Sequence, residues 1–188
     1  MTVDELLQEV RYQIHDTDKV EYTDSELISY VNDALRFISN ELIRCGSALL
    51  LKRTSLSLTD GQAGLPADFV KEQAVLDSQG YVLQSLAPSE PVSRYGYKIV
   101  GSTIYSDNST LELYYFASFP SVSALNEDVP VPDYMLSLVK QIVVFLALNR
   151  NEYSLSVEAE LIKLFQGQVM MLANTGGQNM ERTLPFVV

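Results

Sequence analysis

Apolar residues recur at the three-and-four spacing of an amphipathic helix in four stretches of the chain. Two stretches lie near the N-terminus and two near the C-terminus. Between them, at about 48–117, apolar and polar residues alternate as they do in β-strands. The pattern therefore predicts an α+β fold, mainly a helical bundle of about four helices, with an inserted small antiparallel β-sheet region.

The clearest helical signal lies at Tyr22–Gly46. Thr23 and Glu26 have the spacing of a capping box, in which the hydroxyl accepts a backbone N–H and the carboxylate reaches back. Gly46 supplies a residue that tolerates the left-handed conformation at a helix end. The stripe between these ends predicts one long amphipathic helix and consists of Leu27, Val31, Leu35, Ile38 and Leu42.

A second capping box, Thr2 with Glu5, begins the first helix. The helix should end near His15, because the residues from Asp16 on are typical of a turn. His15 is the only histidine, so any Ser–His or Cys–His nucleophilic pair would require it. At the C-terminal end of a helix an imidazolium is stabilised by the helix dipole, so we interpret His15 as a capping residue. The apolar face of this helix is Val3, Leu6, Leu7, Val10 and Ile14.

The middle of the chain alternates in short runs separated by turn residues. Ser78-Gln-Gly80 is typical of a hairpin turn between two of these runs. The predicted strands are Thr54–Leu58, Lys71–Asp77, Tyr81–Leu86, Tyr97–Val100, Thr103–Ser106 and Leu111–Phe116.

Two helices are predicted after a proline-marked connection. The run Asp133–Asn149 is apolar on nearly every side, so we expect the buried central helix of the bundle. Glu152–Asn174 is amphipathic and should end at Gly176-Gly177. Its predicted apolar face is Val157, Leu161, Leu164, Phe165 and Leu172. The sequence thus predicts a single helical-bundle domain at 1–177, with the β insertion, and an extended C-terminal arm at 178–188.

The net charge of −11 excludes the usual nucleic-acid-binding classes, since binding to phosphates requires a basic footprint. No apolar run approaches the roughly 18 residues that a membrane span needs. The first residues lack a basic and then apolar signal, so we expect a cytoplasmic protein. Cys45 alone allows neither an internal disulfide nor a zinc cluster, and we interpret it as a small apolar filler.

Motifs for chemistry are weak. Asp16-x-Asp18 starts like a calcium loop, but Glu21 and Leu27 occupy the positions where glycine and glutamate are required. A solvated acidic turn is the better interpretation. The sequence therefore predicts no catalytic residue, no metal site and no cofactor, although abundant acids leave a carboxylate pair open.

Two groups of short motifs run in order along almost the whole chain. The first is Asp4-Glu-Leu-Leu, Val10-Arg-Tyr, Asp16-Thr-Asp, Glu21-Tyr-Thr-Asp-Ser-Glu-Leu-Ile and Asn32-Asp-Ala-Leu-Arg. The second is Leu65-Pro-Ala-Asp-Phe69, Tyr97-Lys-Ile-Val-Gly with Ile104-Tyr105, Leu111-Glu-Leu-Tyr-Tyr115 and Val129-Pro-Val-Pro-Asp133. Their order and spacing resemble the head-to-tail adaptor (connector) proteins of tailed bacteriophages.

This resemblance implies a structural virion protein with no catalysis. It implies a homo-oligomeric ring, typically of twelve subunits, in the neck between the portal protein and the tail or next neck protein. Viral DNA would pass through its channel without specific binding. Because C-terminal segments in the family reach into the portal, the expected portal-binding residues are Thr183, Leu184, Pro185, Phe186, Val187 and Val188.

Other interpretations stay open at this point. The apolar C-terminal end can tuck against its own domain or bind a partner. The protein could instead be a neck-associated enzyme that cleaves peptidoglycan, or an assembly factor that never enters the virion.

Overall fold

The structure, a computed structural model, describes residues 1–149 and 155–176. The described residues contain four α-helices, one short 3-10 helix at Ala48–Leu50, and seven strands. The helices are α1 (Val3–Gln13), α2 (Asp24–Arg44), α3 (Asp133–Leu148) and α4 (Leu155–Gly176). The strands are β1 (Leu51–Ser57), β2 (Gln62–Gly64), β3 (Phe69–Asp77), β4 (Gln84–Ser85), β5 (Gly96–Val100), β6 (Thr103–Ser106) and β7 (Thr110–Ala117).

The chain divides into two compact units. The helical unit comprises Met1–Leu49 and the described residues from Phe119 onward, and the β unit comprises Leu50–Ser118. The α+β class is confirmed. The expectation of a mainly helical bundle is wrong, because the strands make up a substantial second unit. That 1–177 forms a single domain stays a prediction, and the arm at 178–188 lies outside the described residues.

Both predicted N-terminal helix starts are confirmed. The hydroxyl of Thr2 accepts from the N–H of Glu5 at 3.2 Å, and the Glu5 carboxylate accepts from the N–H of Thr2 at 2.8 Å. The hydroxyl of Thr23 likewise accepts from the N–H of Glu26 at 3.2 Å. The apolar faces that follow these caps are buried, which places α1 and α2 in one core.

The predicted end of α2 is also confirmed. Gly46 has a φ of +66°. Its N–H donates to the carbonyl of Ile43 at 3.0 Å, while the N–H of Ser47 donates to the carbonyl of Leu42 at 2.9 Å. These two bonds form a Schellman motif, which satisfies carbonyls that the end of a helix leaves without intrahelical partners.

Helix α3 contacts α1, α2 and α4, and α2 likewise contacts the other three helices, so the contacts do not single out α3 as the central helix. Nor is α3 buried on every side. Phe145 and Leu146 are half-buried, and Leu148 is 57% exposed. The hydrophobic residues of α3 therefore exceed what the fold of this unit covers, which is why the expectation of complete burial fails. The buried residues of α3 are Met135, Leu138, Val139, Ile142, Val143 and Ala147.

Polar contacts fix the positions of the helices within the unit. Nζ of Lys140 on α3 donates to the carboxylate of Glu9 on α1 at 2.6 Å. The amide of Gln166 on α4 donates to the carboxylate of the buried Glu41 on α2 at 3.0 Å. The amide of Asn32 both donates to the carbonyl of Val122 and accepts its N–H, each at 2.9 Å. The last pair anchors the connection before α3 to the middle of α2.

The β unit has two sheets where one small antiparallel sheet was expected. A three-stranded antiparallel sheet has the order β1-β7-β3, and a four-stranded sheet has the order β2-β6-β5-β4. The second sheet is mixed, because β4 pairs with β5 in parallel. The core of the β unit includes the buried residues Val75, Leu83, Tyr97, Ile104, Leu111, Leu113, Tyr115 and Ala117.

The predicted hairpin around Gly80 forms only at its tip. The N–H of Asp77 donates to the carbonyl of Tyr81 at 2.9 Å, and Gly80 has a φ of +87°. After Leu83 the chain leaves β3 and pairs with β5 through β4. The turn residues correctly predicted the turn itself, but the pairing of β4 depends on β5, which lies further along the chain.

Candidate functional site

A buried ionic cluster lies between the end of α1 and the start of α2. Arg11 is only 3% exposed, and its guanidinium donates to the carboxylate of Asp16. The same group donates to the carboxylate of Asp24 at 2.8 Å and to the carbonyl of Tyr22 at 2.9 Å. The hydroxyl of Tyr22 in turn donates to the carbonyl of Ala147 near the end of α3, at 2.8 Å. The cluster therefore fixes the connection between the two helices and joins it to α3.

The carboxylate of Asp16 closes this connection into a tight loop. It accepts the backbone N–H groups of Val20, Glu21 and Tyr22 at 2.8, 2.9 and 3.2 Å. Burial by itself raises the pKa of Asp16, but these three N–H groups and Arg11 together outweigh burial and hold the pKa below its ordinary value. The interpretation of Asp16 as part of a solvated acidic turn is therefore wrong.

Asp24 belongs to the same cluster and has a lowered pKa as well. The hydrogen bond from Arg11 is the main cause, partial burial opposes it, and Lys19 adds to the lowering. Nζ of Lys19 lies 3.1 Å from the Asp24 carboxylate. Asp24 is also in the first turn of α2, where negative charge is favourable. Asp24 thus ties the start of α2 to Arg11 in the last turn of α1.

Two further residues were singled out from the sequence and lie within the described residues, namely His15 and Cys45. His15 is exposed and has a φ of +60°, at the position after the α1 C-cap where glycine is the usual residue. Cys45 is exposed, so its interpretation as a small apolar filler is wrong. Within residues 1–149 and 155–176, no group of three or more histidine, cysteine or acidic side chains could hold a metal ion. Thr183–Val188 lie outside the described residues.

An open apolar groove lies between α2, α3 and α4. Phe37 comes from α2, Phe145 and Leu146 from α3, and Ile162 and Phe165 from α4. The rings of Phe145 and Phe165 meet edge to face, with centroids 5.9 Å apart. The groove encloses about 210 Å³, and Asp33 is the acid on its lining. Sequence periodicity gave the helices but not this groove, because the groove depends on how three helices diverge.

Helix α4 also presents an exposed apolar face. Leu164 is 53% exposed and Met170 is 47% exposed, although Leu164 was expected on the buried face. Gly167 lies between them, and a Cβ atom placed on it would meet nothing within 4 Å. Phe165 and Val169, on the other side of the helix, are buried. The face made by Leu164, Gly167 and Met170 is called the α4 outer face below.

A network of polar side chains lies on the three-stranded sheet of the β unit. Nε of Arg53 on β1 donates to the carboxylate of Glu112 on β7 at 2.8 Å, and Ser55 donates to the same carboxylate. The guanidinium of Arg53 also lies 5.6 Å from the ring centroid of Tyr114. Hydrogen bonds from Ser55 and Arg53 lower the pKa of Glu112. This arrangement is a typical cross-strand network on an exposed sheet face.

None of the described helices is both long and apolar enough to cross a bilayer. None of the curated proteins matches the chain. The chain does match the SU10 adaptor protein family, over residues 1–183. Because that match covers nearly the whole chain, the protein belongs to the SU10 adaptor protein family, phage adaptor proteins with a structural role at the neck of the virion.

Proposed function

We propose that the protein is a non-catalytic subunit of a ring that joins the portal to the tail and surrounds a channel for viral DNA. The family supports the adaptor role. A ring of about twelve copies is the arrangement that the resemblance implies. Rings form when one head-to-tail interface repeats and closes on rotation, so the subunit needs two different lateral faces.

The observation that carries this proposal is the α4 outer face. Leu164 and Met170 leave apolar surface in water, where burial by a partner would be favourable. A glycine inside a helix is less favourable than alanine by about 1 kcal/mol. The fold of the subunit does not require Gly167, since a Cβ atom there would meet nothing. Glycine lets another backbone come close, so we assign this face to the contact with a neighbouring subunit.

The C-terminal residues supply the proposed portal contact. Thr183–Val188 form a short apolar segment that suits a groove or a sheet edge on a partner. We expect a protein truncated after Gly177 to fold and to lose its hold on the portal. A truncated protein that binds portal as the full chain does would refute this assignment.

The charge suits a channel. With a net charge of −11, the subunit repels the DNA backbone, so DNA can slide through a ring without sticking. We therefore expect the purified protein to leave a DNA duplex unshifted in a gel at low salt. Retention of DNA at low salt would contradict this part of the proposal.

The lateral contact is tested by adding a charge to the α4 outer face. Leu164→Glu should prevent ring assembly on the portal, because it places a charge in the proposed apolar contact. The monomer should stay folded, because the side chain at position 164 is already about half exposed to solvent. Gln141→Glu adds the same charge at an exposed position of α3 and serves as the control. Native mass spectrometry and circular dichroism give the two readouts. Normal assembly of the Leu164→Glu protein would remove the α4 outer face from the interface.

Two inexpensive assays separate the alternative functions. A zymogram against bacterial cell walls tests for peptidoglycan cleavage, and we expect no clearing. Mass spectrometry of purified virions tests for the chain in the particle, and we expect to find it. Clearing of the cell walls, or virions that lack the chain, would each overturn the proposal.

A further inference from the structure

The groove between α2, α3 and α4 has the size and the lining of a site for one aromatic side chain. A cavity of about 150 Å³ lined by aliphatic and aromatic groups stays dry and binds benzene. The groove encloses about 210 Å³, and its lining is largely apolar. A phenyl ring therefore fits, and it would meet the ring of Phe165 and the side chain of Ile162.

The chain itself carries a matching segment. Twelve residues follow Gly176, the last residue of α4, and the final five are Leu184, Pro185, Phe186, Val187 and Val188. Phe186 is the aromatic residue among them. Exposing an apolar run of this kind to water costs free energy, which is recovered when another surface covers the run.

The length of the segment permits it to reach the groove of its own subunit. Phe165 lies eleven residues before Gly176, which corresponds to about 16 Å along a helix axis. The ten residues 177–186 can span about 33 Å when extended. A segment that turns back along α4 after the double glycine therefore brings Phe186 to the groove with length to spare.

The charges agree with this placement. Asp33 lines the groove, where its carboxylate also accepts from Arg36, and Arg182 precedes Thr183 and the five apolar residues. Opposite charges at the rim of an apolar site fix the direction in which a segment lies. Arg182 near Asp33 would place Phe186 deeper among the apolar side chains.

We propose that Leu184–Val188 dock in the groove of their own chain, with the ring of Phe186 in the cavity. Tethering gives such a segment a local concentration in the millimolar range, so even a weak intrinsic affinity keeps it docked. The consequence rests on the proposed function: the segment that binds the portal is held on its own subunit until the portal displaces it. The docking itself does not depend on the portal.

The test uses the full chain and two readouts. The protein has no tryptophan, so Phe186→Trp introduces a single reporter whose emission should be blue-shifted and protected several-fold from acrylamide quenching. Met180→Trp, in the polar part of the tail, should stay fully quenchable. In Phe186→Ala the methyl resonances of Ile142 and Ile162 should shift, because the ring current of Phe186 is removed from the groove. In Met180→Ala they should stay in place.

The methyl resonances decide the matter, because tryptophan is larger than the side chain that it replaces. Methyl signals unaffected by Phe186→Ala would overturn the proposal. Signals that depend on protein concentration would overturn docking within one chain, since they would show docking between copies. If the methyl signals move and truncation after Gly177 leaves portal binding intact, docking stands and the portal role fails. The reverse pair of results would refute docking and keep the portal role.

Discussion

The guanidinium of Arg11 donates to the carboxylate of Asp16, and both side chains are buried within the connection between α1 and α2. Two charges out of water are costly unless their hydrogen bonds are satisfied. Here the carboxylate also accepts three backbone N–H groups, and the guanidinium also donates to Asp24 and to the carbonyl of Tyr22. Among the described residues, only the buried Nε of Arg11 finds no hydrogen-bond partner within this cluster. The pair therefore specifies one conformation for a loop whose residues 17–21 are exposed.

Removing the charge of Asp16 should destabilise the protein strongly. Asp16→Asn leaves Arg11 buried without its charged partner, and breaking a buried ion pair in this way costs about 3 kcal/mol or more. Asp18→Asn changes an exposed neighbour in the same turn and should alter the free energy of unfolding by less than about 0.5 kcal/mol. Urea denaturation measures both. Equal small effects would show that the pair contributes little.

The lowered pKa values of Asp16 and Asp24 predict instability in acid. Each carboxyl binds protons less readily in the folded chain than in the unfolded chain, whose value is about 3.9. Their stabilising contribution is complete above that value and is lost as the pH falls below about 4. The free energy of unfolding should decline over this range, and the decline should be shallower in Asp16→Asn. Identical pH profiles for the two proteins would contradict the assignment.

His15 occupies a backbone conformation that suits glycine, so His15→Gly should stabilise the protein. Its φ of +60° lies in the left-handed region, and the N–H of Asp16 donates to the carbonyl of Arg11 at 3.0 Å as in a Schellman motif. Relief of the left-handed strain should raise the free energy of unfolding by about 1 kcal/mol. Gly46→Ala is the reciprocal control at a φ of +66° and should lower it by a similar amount. A less stable His15→Gly protein would mean that the imidazole itself has a role.

Gly167→Ala should separate folding from assembly. Alanine is more favourable than glycine within a helix by about 1 kcal/mol, and nothing lies within 4 Å of the added methyl group. The monomer should therefore become more stable in thermal denaturation while ring assembly on the portal weakens. A protein that is more stable and assembles normally would show that no neighbouring backbone approaches Gly167.

The helices of this protein were predictable because their signals are local. The caps at Thr2 and Thr23 and the stop at Gly46 each depend on residues within one turn, and the structure has all three. The strands β5, β6 and β7 were likewise found from alternation. Their arrangement into two sheets was not, because β4 pairs with β5 across a loop and local alternation says nothing about partners.

The features missed from the sequence all depend on distant contacts. Asp16 looked like any exposed acid in a turn, and its pairing with Arg11 depends on how the loop after α1 folds back. Cys45 and Leu164 were predicted to be buried because they are apolar, but both are exposed. Apolar character alone does not distinguish a residue of the core from an apolar residue on the surface. The groove at Phe37 and Phe165 depends on α2 packing beside α3 and α4, which lie far from it in sequence.

The central claim is that this chain assembles on the portal as a structural ring. Native mass spectrometry of the full-length protein, measured alone and mixed with portal, tests it most directly. We expect a discrete complex in which several copies of this chain are bound to one portal ring, and a smaller or absent complex for Leu164→Glu. A mixture in which the two proteins keep their separate masses would contradict it.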